Sequence, residues 1–425
     1  MKRFTLDNGL SCIFIPKPIH TTTINILVKV GSRDETKETH GCAHILEHLL
    51  IKQTKKRKNY KKLYIELSRL GNYNAGTSKN TTQYFITTPK EKFEHGLEIF
   101  SDLLYNSQLT EKLLSNEKPI ILKELNFSKE NDTVYSLRLL HRLCFENHPL
   151  EHLIIGNENS IKNMKFKDLL KFYKKYYTPS NMHLVVCGKY PKNYKELVNK
   201  YFSIKKSNNY KNEIPTQIIT QTQQKIKVLK KKQQQAFLTI GFPSVSSYNY
   251  KDVVVLLLIS NYLGGGLSSR LSMILREKMG LVYSINAECQ HYQDTGIFYI
   301  QCQVDYKNIL NNMGVLSILF KEIKLLKQKG LSSKLLIENK DILITKLTLI
   351  QDDPFFLTNY YGNEQLFQQK HITIEDSKKM INSIKLSDIN KIIQKLFNFK
   401  KMNLCVIGNL SEKKLKTFLS NYYFE

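Results

Sequence analysis

Long hydrophobic runs are missing from this sequence. The longest, Val253 to Ile259, falls far short of the roughly 20 apolar residues that cross a bilayer, so no membrane span is expected. The opening MKRFTLDNGL has neither an extended apolar core nor a small-residue cleavage site, and a secretory signal is not expected. Paired cysteines are also missing. The seven cysteines, at 12, 42, 144, 187, 289, 302 and 405, contain no C-x-x-C pair. An odd, scattered set argues against a disulfide framework and for reduced thiols, several of them placed as small hydrophobes in apolar runs. None reads as a metal ligand. These absences predict an intracellular, most simply cytoplasmic, protein, with organelle import left open.

Acidic residues are in short supply. There are 37 Asp and Glu against 64 Lys and Arg, for a formal net charge of +27. Such a charge attracts nucleic acid, anionic lipid or acidic peptides. Here the lysines are spread along the whole chain and no nucleic-acid-binding motif accompanies them, so nucleic acid is not an expected partner. The densest run, Lys55 to Lys62, is the best candidate for a local basic patch.

What is present is enough apolar material for real cores. Hydrophobic residues are 41% of the 425, and the length suits two domains of about 200 residues each. An internal repeat organises them. The stretch starting IKNMKFKDLL at Ile161 aligns without a gap to INSIKLSDIN at Ile381, with nine of thirty positions identical, including Asp168/Asp388, Met182/Met402 and Gly188/Gly408. Both copies read as an amphipathic helix, a turn, and a buried strand ending at glycine. The expected fold is α+β: two duplicated domains, each a mainly antiparallel sheet packed with helices. Residues 1–205 form the first, 206–232 a polar linker, and 233–425 the second.

Chemistry concentrates in GCAHILEHLL, Gly41 to Leu50. In a helix His44 and His48 share one face about a turn apart, and Glu47 lies on the same side. Two imidazoles at this spacing can grip one Zn²⁺ while a neighbouring carboxylate takes a proton from a water, the inverted H-x-x-E-H arrangement. The plainer alternative is a partly buried helix whose histidines are only hydrogen-bonded. A zinc site needs a third protein ligand. The stretch NEKPIILKELNFSKEND offers Glu117 and Glu124, seven apart and so on one face of a continuous helix. Glu124 is taken as the ligand and Glu117 as the group that orients a histidine or the water. Pro119, between them, favours a helix that begins at its own position, which would leave Glu117 ahead of it.

At this point the sequence resembles the pitrilysin family of metallopeptidases, which includes insulinases and mitochondrial processing peptidase, and most of all its short, half-size branch. LDNGL (Leu6 to Leu10), VGSRDET (Val30 to Thr36), H-x-x-E-H, GNYNAGTS (Gly71 to Ser78), QAFLTIGFP (Gln235 to Pro243) and LREKMGLVYSI (Leu275 to Ile285) carry the resemblance. That family spaces its third ligand as Glu124 follows His48, by 76 positions. The resemblance implies one Zn²⁺ per chain and a zinc-dependent endopeptidase that cleaves unfolded peptides or presequences with Glu47 as base. It implies that an edge strand at Asn74 and Ala75 takes an extended substrate by strand addition. It further implies that Arg276 and Tyr283 bind the scissile carbonyl and stabilise its oxyanion. Family members enclose substrate between two halves like this chain, so a homodimer is expected, or a heterodimer with an inactive homologous subunit. The competing function is a non-catalytic, peptide-binding scaffold subunit of the same fold. GGGLSSRL, Gly264 to Leu271, lacks the Lys-Ser/Thr of a phosphate loop and reads as a turn before a helix.

Overall fold

The computed structural model describes residues 1–203, 210, 221–367 and 372–422. Among the described residues eleven strands form two mixed sheets. β1 (Lys2–Thr5), β2 (Ser11–Pro16), β3 (Thr21–Val28), β4 (Asn72–Thr77), β5 (Thr82–Pro89) and β6 (Met182–Gly188) build the first, in the order β1-β2-β6-β3-β5-β4. β7 (Lys225–Lys230), β8 (Gln235–Ser244), β9 (Val282–His291), β10 (Gly296–Asp305) and β11 (Asn403–Gly408) build the second, in the order β7-β11-β8-β10-β9. Each sheet has one parallel pair, β2/β6 and β7/β11, and is otherwise antiparallel. Removing β1 makes the two orders topologically identical.

The duplication extends to single residues. The helices Phe166–Tyr176 and Leu386–Leu396 start 220 positions apart and lead through a short 3-10 turn into β6 and β11. Their buried faces match at the same offset: Leu169 with Ile389, Phe172 with Ile392, Leu184 with Leu404, Val186 with Val406. Gly188 ends its strand at φ +127, a conformation side chains resist, and a Cβ there would collide with the backbone of Thr21. At Gly408 the obstacle is Ala236.

Two compact units result, and neither is a continuous stretch of chain. The first contains Met1–Phe127, His152–Ile214 and Leu349–Thr373; the second contains Ser128–Glu151, Pro215–Thr348 and Ile374–Glu425. This grouping departs from the boundaries 1–205 and 233–425 because a sheet has two faces and both must be covered. In β3, Ile24, Ile26 and Val28 point into the main core of the first unit. The alternate positions Asn25 and Leu27 meet the helix Pro354–Phe367, Asn25 Nδ2 donating to Thr358 Oγ1 at 3.3 Å and Leu27 packing at Gly362. In the second unit, α5 (Asp132–Cys144) plays the same part: Leu140 lies over Gly241 of β8, and Leu139, Cys144 and Phe145 join Ile297, Tyr299, Cys405 and Ile407. These two covering helices occupy equivalent places in the repeat, each in the opposite half of the chain from the sheet it covers. Much of the expected linker 206–232 lies outside the described residues, and Lys225–Lys230 within it is strand β7.

The covering helix of the first unit carries a half-buried acid, Glu364, whose Oε2 is out of solvent. Glu364 Oε2 has no hydrogen-bond partner among the described residues, and burial pushes its carboxyl up to about 7. The folded state therefore holds this proton more tightly than the unfolded chain. Its stabilising contribution is complete below about pH 4.5 and is lost as pH rises through about 7. Denaturant unfolding of wild type and Glu364→Gln across this range should show the variant gaining stability relative to wild type up to about pH 7 and level above it. A constant difference would contradict this assignment.

Candidate metal centre

The H-x-x-E-H motif lies on α1 (Cys42–Leu50), a helix buried by Ile45, Leu46, Leu49 and Leu50 on its core side. Gly41 precedes it at φ 96, a left-handed position that favours glycine. The first backbone donors of the helix are met by a fully buried acid: Gly41 N donates to Glu35 Oε2 at 2.8 Å and Ala43 N to Glu35 Oε1 at 2.9 Å. Burial pushes this carboxyl well above its ordinary pKa, and the two backbone bonds oppose that rise. Glu35 thus fixes where α1 starts and hence how its histidines are aimed.

The third group comes from α4 (Glu111–Glu130), which runs unbroken through Pro119. The expectation that Pro119 would begin the helix is corrected. Pro119 stands well inside the helix and loses its one N–H bond at an exposed position, while Leu114, Glu117, Ile121 and Leu125 anchor the buried face. Glu117 and Glu124 are therefore both helical and both face α1. His44 Nε2 lies 3.4 Å from Glu124 Oε1, and His48 Nε2 lies 3.6 Å from Glu124 Oε2. The imidazole centroids are 4.7 Å apart. Donor atoms of all three residues fall within 4.8 Å of one another.

These spacings fit a shared cation. They are long for hydrogen bonds but close to the ~3.3 Å edge expected between tetrahedral ligands held at ~2.0–2.1 Å from zinc. The other nitrogen of His48 is engaged: its Nδ1 sits 2.9 Å from Glu117 Oε1. That leaves Nε2 as the lone-pair nitrogen on the side of Glu124. Burial disfavours the charged form of His48, but the Glu117 hydrogen bond and the charges of Glu47, Glu117 and Glu124 outweigh it and raise its pKa. Glu117 itself is 3% exposed. Burial opposes its ionisation, yet bonds from His48 and Lys52 hold it below the usual carboxylate range. Lys52 Nζ is 3.0 Å from Glu117 Oε2.

Glu47 stands between the two histidines in sequence and is partly exposed. Thr77 Oγ1, at the end of β4, donates to its Oε2 at 2.5 Å. β4 is one of the two edge strands of the first sheet, so Asn74 and Ala75 are on an edge strand. Asn74 is exposed, and its Oδ1 accepts from Ala75 N at 2.9 Å. Arg276 and Tyr283 belong to the second unit. Arg276 lies in a π-helical turn, Ser272–Lys278, with its Nε 3.6 Å from Glu277 Oε1. Tyr283 is on β9, the edge strand equivalent to β4, and is 77% exposed. The helix of the second unit that corresponds to α1, Tyr250–Gly264, contains no histidine and has the apolar run Val253 to Ile259 at its centre. The basic run loses its strongest member to the interior: Arg57, its side chain 8% exposed, binds Glu66, Glu98 and Asp102.

Comparison with known proteins places these features in a family. Residues 14–158 match the family model described as insulinase (peptidase family M16), and residues 163–343 match the peptidase M16 inactive domain. The zinc protease PqqE of Helicobacter pylori is 31% identical over 305 residues, covering 69% of this chain and 68% of that protein. The chain belongs to peptidase family M16. A relative named uncharacterized zinc protease YmxG, from Bacillus subtilis, is 28% identical over 407 residues, 93% of this chain and 96% of that one. A crystal structure of a Helicobacter pylori protease shares the fold, with a TM-score of 0.88 at 24% identity over 96% of this chain and 99% of that one.

The peptidase match, residues 14–158, contains His44, His48 and Glu124, whereas the M16 "inactive domain" match, residues 163–343, contains none of the three. Three residues at the centre escaped the sequence reading. Lys52 is four positions past His48 and carried a helical-spacing signal. Thr77 is three past Asn74, inside a stretch already singled out. Glu35 lies in VGSRDET, a stretch already quoted, but nothing there marked its role, since its partners are backbone N–H groups six and eight residues away. Glu35→Ala should leave those two buried donors unmet and cost roughly 2 kcal/mol or more. Urea unfolding checks this, and unchanged stability would remove Glu35 from the account of how α1 is held.

Proposed function

We propose that this chain is a zinc-dependent endopeptidase acting on unfolded peptides. His44, His48 and Glu124 would hold one zinc ion, and Glu47 would serve as general base. The observation that carries the reading is the approach of Glu124 to both imidazoles, at 3.4 and 3.6 Å, with Glu47 on the same helix. When bound, zinc supplies a Lewis acid that polarises the peptide carbonyl and makes water a competent nucleophile near neutral pH. Glu47 accepts the proton of the attacking water and returns it to the departing amine, so charge balances over the two steps. Thr77 holds Glu47 by one oxygen and leaves the other for that proton. Glu117 fixes the ring of His48.

The exposed edge of β4 supports strand addition at Asn74 and Ala75, in which backbone groups grip an extended substrate with modest side-chain selectivity. A folded protein cannot present such a strand, which is why unfolded peptides are the proposed class. Arg276 and Tyr283 are proposed to donate to the developing oxyanion, supplied by a second copy of the chain in a homodimer. Their placement on the unit that lacks the histidine pair supports that division of labour. All seven cysteines are free thiols, which supports an intracellular setting. Among the described residues no helix is long and apolar enough to cross a membrane.

The scaffold alternative has less support, because a scaffold has no use for Glu47 beside the metal-binding trio. Glu47→Gln distinguishes the two. The variant should bind zinc as wild type does and lose about 10²–10⁴-fold in cleavage of unfolded peptides read by mass spectrometry. Wild-type turnover in the variant would overturn the base assignment. A wild-type protein that binds zinc and cleaves no peptide would favour the scaffold.

A further inference from the structure

Beyond the three ligands and Glu47, α1 and α4 share a second polar connection. Glu117 reaches across from α4 and touches His48 of α1 by Oε1, at 2.9 Å, and Lys52, in the turn just past the end of α1, by Oε2, at 3.0 Å. His48 and Lys52 are four apart, so they present to Glu117 from one side of the helix end. The Lys52 side chain is 20% exposed and that of Glu117 5%. Tyr64, on α2 (Tyr60–Leu70), is another neighbour of the Lys52 ammonium and helps to hold it charged. The result is a chain of contacts, Tyr64 to Lys52 to Glu117 to His48, running from α2 to the imidazole.

We infer that Lys52 is a positioning residue for the metal centre, acting through Glu117 to hold the His48 ring with Nε2 toward Glu124. This rests on the zinc reading above. The physical reason is the freedom of a carboxylate. With only Oε1 engaged, Glu117 can turn about its terminal torsion, and its bond to His48 is no longer fixed in direction. With Oε2 pinned by an ammonium, the plane of the carboxylate is set, and the ring plane of His48 with it. Lys52 also places a cation at the C-terminal end of α1, where the helix dipole favours one. Lys52 touches none of the three proposed zinc ligands directly in this network, so its effect on metal binding must pass through Glu117.

The test is zinc affinity, measured by competition with a chromogenic chelator on the full chain. Wild type, Lys52→Met, Lys52→Arg, Glu117→Gln and the Lys52→Met/Glu117→Gln double variant are compared, with thermal melts of the metal-free proteins as the folding control. Lys52→Met should weaken zinc binding roughly 10-fold, within the range seen when groups behind a metal ligand are removed. Lys52→Arg should recover most of that loss. In the Glu117→Gln background, Lys52→Met should have little further effect. Should Lys52→Met fail to fold, Lys52→Gln keeps an N–H donor without the charge and should fall between wild type and Glu117→Gln. Wild-type zinc affinity in Lys52→Met, or in Lys52→Gln where that variant stands in for it, overturns the inference, and so does a loss that adds fully to that of Glu117→Gln. A wild-type chain that takes up no zinc overturns the metal reading itself. A chain that binds zinc and weakens on Glu117→Gln but not on Lys52→Met leaves that reading standing and sinks this one.

Discussion

Everything at the centre depends on α1 and α4 lying side by side in a fixed register. A single helix can offer two imidazoles on one face, but a third ligand at suitable distance must come from elsewhere, and here it comes from 76 residues further along the chain. Register between two helices is set by what they bury. Ile45, Leu46, Leu49 and Leu50 of α1 and Leu114, Ile121 and Leu125 of α4 share one core. Glu117 adds direction to that packing, because a buried carboxylate with one partner on the facing helix and another in the turn after it tolerates little sliding. Glu35 closes the other end of α1 through its backbone donors. The polar contacts therefore orient the histidines, while the hydrophobic ones hold the helices together.

Duplication gives the two units one architecture, and among the described residues the candidate centre lies on the first of them. Both units repeat the same strand order and the same helix–strand unit at an offset of 220 residues. The helix equivalent to α1 in the second unit, Tyr250–Gly264, contains no histidine and is apolar at its centre. The first unit carries the candidate centre, and the second keeps the architecture with an edge strand, β9, that presents Tyr283 to solvent. The reciprocal covering helices have a further consequence. Each sheet is completed only by a segment from the other half of the sequence, so the chain must be nearly whole before either unit has both faces covered. Domain limits drawn as two consecutive stretches miss this.

Much of the fold and the centre was legible in the sequence because the signals were periodic and local. The amphipathic helix before β6 and β11, the buried strands ending at glycine, and the H-x-x-E-H face all follow from spacing alone. Glu117 and Glu124 followed from their seven-residue separation, and there Pro119 misled. A proline in a helix removes one hydrogen bond, and a helix anchored by four buried positions on the opposite side absorbs that loss. Contacts made by backbone groups were not legible, which is why Glu35 went unnoticed. Nor was the exchange of covering helices, since α5 and Pro354–Phe367 carry no mark of which sheet they will cover. Arg276 and Tyr283 were singled out only by resemblance; their local settings, a pairing with Glu277 and an exposed strand position, are what an ordinary surface also offers.

The central claim is that His44, His48 and Glu124 form one metal site. Its most direct test is elemental analysis of the purified chain beside His44→Ala and Glu124→Ala, after removal of loosely held metal. The account predicts one zinc per wild-type chain and loss of that zinc in both variants, with folding retained. Wild-type protein without zinc, or variants that keep a full equivalent, would contradict it.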